Sequence, residues 1–92
     1  MTDRTSEGAT PVSVTLYTRQ GCHLCEEAAT ALAALVRTLP IEVTPVDIDL
    51  DLTLLERFND TAPAIAVNGD VVTSAPIDLN AVRRAVRATA TA

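Results

Sequence analysis

The sequence predicts an α/β domain, a four-stranded mixed sheet with three helices in the order β-α-β-α-β-β-α. Three observations carry this expectation. Apolar residues change their spacing along the chain, from every second residue to every third or fourth and back again. Chain-breaking residues fall between these stretches, at Pro40, Pro63 and Asn68-Gly69. Strand-helix-strand units take right-handed crossovers, which lays the first strands side by side and packs helices on both faces. At 92 residues there is room for one small domain with one core. Residues 1–10 read as a disordered N-terminal tail and residues 11–92 as the domain.

Val12, Val14 and Leu16 alternate, predicting a first strand over residues 12–17. The next stretch predicts a helix over 23–39. Leu24, Ala28, Leu32, Leu35 and Leu39 share one face, with Glu26, Glu27, Thr30 and Arg37 elsewhere, and Pro40 ends it. The second strand signal, 42–48, contains Pro45, which lacks the donor a central strand needs, so an edge position is expected. Alternation slips near Pro45, predicting a bulge there. Asp49 or Asp51 caps a short second helix ending near Phe58, with Leu52, Leu55 and Phe58 on one face. Residues 64–67 and 71–73 flank Asn68-Gly69-Asp70 and predict a hairpin, since Asn-Gly supplies the positive φ angles of a tight turn. Asp78 opens a last helix. Leu79, Val82 and Val86 form its apolar stripe, while Arg83, Arg84 and Arg87 lie toward the end where the dipole favours cations.

Net charge is −5 and all seven cations are arginine. That composition offers neither a basic groove for nucleic acid nor a polybasic patch for a membrane. No apolar run approaches the roughly 20 residues that span a bilayer. The first eleven residues hold no apolar signal core, so export is not expected and a cytoplasmic location is.

The two cysteines, Cys22 and Cys25, form a Cys-X-X-Cys pair, which in an unexported chain reads better as a redox or metal pair than as a structural staple. Cys22 falls where a strand hands over to a helix. Unpartnered N–H groups and the positive end of the macrodipole favour a thiolate there, and a thiolate is what attacks a disulfide. A closed zinc site would need four ligands, and His23 is the only histidine. Glu26, not histidine, follows Cys25, so the pair is not a haem attachment motif. Glu26 and Glu27 complement the helix dipole while opposing thiolate formation. His23 reads either as a charge that tunes the thiolate or as a solvated helix-start residue. Asp47 and Asp49 read as turn and cap residues.

Three separated pieces resemble glutaredoxins. Tyr17-Thr18-Arg19-Gln20-Gly21-Cys22 resembles the family's aromatic, small polar residue and cation ahead of the first cysteine. Thr61-Ala62-Pro63 resembles its Thr-Val-Pro element, and residues 63–69 resemble the strand and turn that follow. The similarity covers about residues 12–88, and Gly21-Cys22-His23-Leu24-Cys25-Glu26 is most similar to small glutaredoxin-like proteins. The resemblance implies a thioredoxin fold of glutaredoxin type and a thiol-disulfide oxidoreductase acting on protein or glutathione disulfides. Cys22 would be the nucleophile and Cys25 the resolving thiol. Arg19 would steady the thiolate and hold a glutathione carboxylate, beside Tyr17. A cis bond between Ala62 and Pro63 would present the Ala62 backbone to an extended substrate. No bound cofactor or metal is implied; glutathione would be a co-substrate, or a thioredoxin-type reductase the electron source, and the protein a monomer.

Leu16, six residues before Cys22, stands where thioredoxins carry a buried acid, which favours the glutaredoxin side. The chain departs from that family after the hairpin, where Thr73-Ser74 and then Ala75-Pro76-Ile77-Asp78 replace the usual Gly-Gly and aspartate. Glycines would let a backbone approach glutathione closely; here Ser74 and Asp78 are the groups left to bond it. The alternative reading is a non-catalytic binding module of the same fold, whose cysteines serve an iron-sulfur cluster shared between two chains or a redox-sensed partner contact.

Overall fold

The structure is a computed structural model that describes residues 11–91; the tail expected over 1–10 lies outside the described residues. Its elements follow the expected order: β1 (Val12–Thr18), α1 (His23–Leu35), β2 (Ile41–Asp47), a 3₁₀ turn (Ile48–Leu50), α2 (Leu52–Phe58), β3 (Ala64–Val67), β4 (Asp70–Ser74) and α3 (Leu79–Thr91). The sheet runs β2-β1-β3-β4, with β1 parallel to β2 and antiparallel to β3, and β3 antiparallel to β4.

Alternation along the strands divides the core in two. Val12, Val14, Leu16, Ile65 and Val67 face α1 and α3, where they meet Ala28, Leu32, Leu35, Val82 and Val86. On the opposite face Ala64 packs with Ile48 and Phe58, and Tyr17, Leu54, Leu55 and Ala62 surround them. Among the described residues no polar or charged side chain is buried, so both layers cohere through apolar burial.

Several expectations are corrected. Helix α1 stops at Leu35, four residues early. Leu39 precedes Pro40, and the proline ring disfavours helical backbone in the residue before it. The chain instead unwinds through tight turns, with Thr38 and Leu39 N–H donating to Leu35 O at 2.9 Å and the Thr38 hydroxyl donating to the same carbonyl. The buried face of α1 runs through Cys25, Ala28, Leu32 and Leu35, leaving Leu24 53% exposed.

No bulge occurs at Pro45. The Val12 N–H donates to Pro40 O, which turns the even-numbered amides of β2 toward β1 and the odd-numbered ones, Pro45 included, away from it. Because β2 is an edge strand, the missing donor leaves no ladder bond unmade, and the register runs unbroken from Val12↔Ile41 to Thr18↔Asp47. The bulge lies in the hairpin, between Ile65↔Thr73 and Ala66↔Val71, where Val72 is the extra residue. The turn joining β3 and β4 is Asn68-Gly69, with φ of 50° and 90°, as a two-residue hairpin of this kind requires.

Asp51, not Asp49, caps α2: its Oδ1 accepts from Thr53 N at 2.9 Å and Leu54 N at 3.4 Å. Asp47 caps the preceding 3₁₀ turn by accepting from Asp49 N. With the helix phased from Asp51, Leu54 and Leu55 turn inward and Leu52 is left 70% exposed, contrary to the expected Leu52 face. Replacing the cap, Asp51→Ala, is expected to cost about 1 kcal/mol, read as a lower urea midpoint with unchanged slope.

Candidate functional site

The site is built where β1 gives way to α1. Gly21 takes φ +72°, a left-handed backbone that side chains rarely adopt, and swings the chain from the strand into Cys22. Cys22 is the N-cap of α1: its backbone is extended, its carbonyl accepts the first helical bond from Glu26 N at 3.1 Å, and its Sγ accepts from Cys25 N at 3.1 Å. The two cysteines are joined in a disulfide with Cα atoms 5.2 Å apart. They differ in access, since Cys22 is half-buried and Cys25 is 1% exposed. Cys22 therefore meets solvent, its sulfur held by the Cys25 N–H of the first helical turn, and Cys25 is enclosed one turn deeper.

The remaining expected site residues divide. Ala62 and Pro63 lie in the loop leading into β3, joined by a cis peptide bond. The Ala62 N–H is taken by Phe58 O at 2.9 Å and the Pro63 carbonyl by Ala75 N at 2.9 Å. The Ala62 carbonyl has no hydrogen-bond partner among the described residues. An extended peptide would thus find an acceptor here, but not the paired donor and acceptor of a free strand edge.

Tyr17 and Arg19 are drawn to the α2 side. Tyr17 stacks on Phe58 with ring centroids 4.3 Å apart and planes within 18°, and the Arg57 guanidinium lies 4.8 Å from the Phe58 centroid. Arg19 reaches Asp49 Oδ1 at 2.9 Å through Nη2 and Asn59 Oδ1 at 3.2 Å through Nη1. Its charge is already paired. Its partners stand 30 and 40 residues away, and no local pattern links them to it.

A groove that no sequence motif marks lies beside the first turns of α1. Leu24, one of the two residues inside the ring, opens it, and it continues between α1 and the loop Ala75-Pro76-Ile77. That loop is held from both ends. Ala75 N bonds the Pro63 carbonyl, Asp78 N donates to Thr73 Oγ1 at 3.0 Å, and Asp78 Oδ1 caps α3 through Asn80 N and Ala81 N. The Asp78 carboxylate, expected as a possible glutathione contact, is engaged as a helix cap. The available signal was that Cys25, Ala28, Leu32 and Leu35 also make a helical stripe, which turns Leu24 outward. At the exposed rim, His23 Nε2 and Glu27 Oε2 lie 2.8 Å apart.

The description of the glutaredoxin-like domain (DUF836) matches residues 13–87, most of the chain. This chain belongs to the glutaredoxin-like domain family. Two solved structures agree. Protein Ne2328 of Nitrosomonas europaea is 30% identical, with TM-score 0.74 over 94% of this chain and 99% of that one. Protein XcR50 of X. campestris is 31% identical, with TM-score 0.66 over 82% and 96%. A mutant thioredoxin of Halobacterium salinarum, at 15% identity and TM-score 0.61 over 88% and 76%, shares the fold. No curated protein matches. The family member thus has a thioredoxin-like fold with a Cys-X-X-Cys pair at disulfide distance, an arrangement suited to redox chemistry. Among the described residues no helix is long and apolar enough to cross a membrane.

Proposed function

We infer that the protein is a thiol-disulfide oxidoreductase, with Cys22 as nucleophile and Cys25 as resolving thiol. The asymmetry of the pair is the observation that carries this reading: an accessible sulfur at the N-cap of α1 and an enclosed one a turn below. In the reduced protein the Cys22 thiolate attacks a substrate disulfide, giving a mixed disulfide and one substrate thiol. Cys25 then attacks Cys22 Sγ, releases the second thiol and closes the internal disulfide. Two electrons pass to the substrate. An external thiol or dithiol reductant restores the pair, and protein and glutathione disulfides are both chemically competent substrates. The Ala62 carbonyl supports substrate binding, whereas Arg19, paired with Asp49, supports packing of the β1–α1 loop against α2.

The test is alkylation of the reduced, metal-free protein as a function of pH, read at each cysteine by mass spectrometry. Cys22 is expected to react well below the unperturbed thiol pKa of about 8.5 while Cys25 stays protected. Equal reaction of both, and only at alkaline pH, would remove the helix-start thiolate and with it this reading.

A further inference from the structure

The groove that opens at Leu24 holds about 290 Å³, the low end of ligand pockets, with room for a side chain or two and not for a whole cofactor. Its walls are apolar, chiefly Leu24, Pro63, Pro76, Ile77 and Leu79, and Glu27 is the one charged residue lining it. Glu27 Oε2 faces His23, and the Glu27 side chain is 60% exposed. The cation on the β1–α1 loop, Arg19, is paired with Asp49, and the whole chain carries −5. Glutathione brings two carboxylates against one ammonium, and no apolar side chain. It meets here the Glu27 carboxylate, an apolar groove it cannot fill and no unpaired cation on the adjoining loop.

We propose that this groove seats an apolar side chain of the polypeptide flanking a substrate cysteine, with a neighbouring cationic residue facing Glu27. Apolar, basic protein disulfides are thereby preferred to glutathione disulfide. The proposal rests on thiol-disulfide exchange at Cys22 and names its substrate class. The unpaired Ala62 carbonyl, half-buried in the loop that carries Pro63, accepts a backbone N–H of the same extended segment. In one turnover the Cys22 thiolate bonds to one peptide sulfur, the peptide S–S bond breaks, and the second sulfur leaves as a thiolate that takes a proton from solvent. Cys25 gives up its proton, bonds to Cys22 Sγ and displaces the first peptide sulfur as a thiol. The protein loses two electrons and the peptide disulfide gains them.

Single-turnover rates of the prereduced full chain test this with four disulfides: hydroxyethyl disulfide, glutathione disulfide, a peptide disulfide with leucine and arginine flanking the cysteine, and one with serine and glutamate there. The leucine-arginine peptide is expected to react about tenfold faster than the serine-glutamate peptide or glutathione disulfide. Filling the groove with Ala31→Phe should bring the two peptides to within about twofold of each other, each rate being normalised to hydroxyethyl disulfide on the same sample. Glu27→Gln, on an exposed side chain, should narrow the preference about threefold and keeps the test open if the phenylalanine variant misfolds. Equal peptide rates, or glutathione disulfide as the fastest substrate, would overturn the groove assignment and leave the exchange chemistry standing. No reaction even with hydroxyethyl disulfide would instead overturn the exchange chemistry itself.

Discussion

Cys22→Ser is expected to lower disulfide reduction by about a thousandfold or more, because a hydroxyl at the α1 N-cap cannot replace the thiolate that attacks sulfur. Cys25→Ser should behave differently. Attack at Cys22 remains, but nothing resolves the product, so the variant accumulates a one-to-one mixed disulfide at Cys22 that intact-mass analysis detects. The contrast follows from access, since Cys25 is enclosed and Cys22 is not. Mixed disulfides at Cys25 in the Cys22→Ser variant, with undiminished turnover, would reverse the assigned roles. A visible chromophore in freshly purified protein, lost in Cys22→Ser, would move the assignment to the shared-cluster binding module.

The second large effect concerns stability. Leu32 is fully buried in the last turn of α1, against the sheet face formed by Val12, Val14, Leu16 and Ile65. Leu32→Ala removes buried methyl and methylene groups and leaves a cavity that a close-packed core refills only in part, at a cost of about 3 kcal/mol. For a domain of this size that corresponds to a fall in Tm of roughly 15 °C, measurable by circular dichroism. Leu24→Ala, on the same helix but half exposed, should shift stability by less than about 0.5 kcal/mol. Similar shifts for the two variants would mean that α1 is rotated from the orientation described.

That pair of leucines also marks how far the sequence was legible. Leu24-Ala28-Leu32-Leu35 and Cys25-Ala28-Leu32-Leu35 are both helical stripes, and periodicity alone does not choose between them. Closure against the sheet does, by enclosing Cys25 in place of Leu24 and so giving the disulfide one accessible sulfur. Pro45 shows a related limit. Its edge position was readable because proline lacks a donor, but whether its amide faces the neighbouring strand depends on register, which the Val12–Pro40 hydrogen bond sets. The Asn68-Gly69 turn was readable because its φ requirement is local, whereas the bulge at Val72 comes from fitting β4 to β3.

The sequence by itself determined the order of elements, the hairpin turn, the chain breaks and a cysteine pair at a helix start, because each depends on residues within a turn or two of one another. Tertiary structure alone decided that Arg19 pairs with Asp49 and Asn59, and that Tyr17 stacks on Phe58. It alone assembled Leu24, Pro63 and Ile77 around one groove. Those contacts join segments tens of residues apart, and their partners are chosen only when the sheet closes and apolar burial fixes which faces meet.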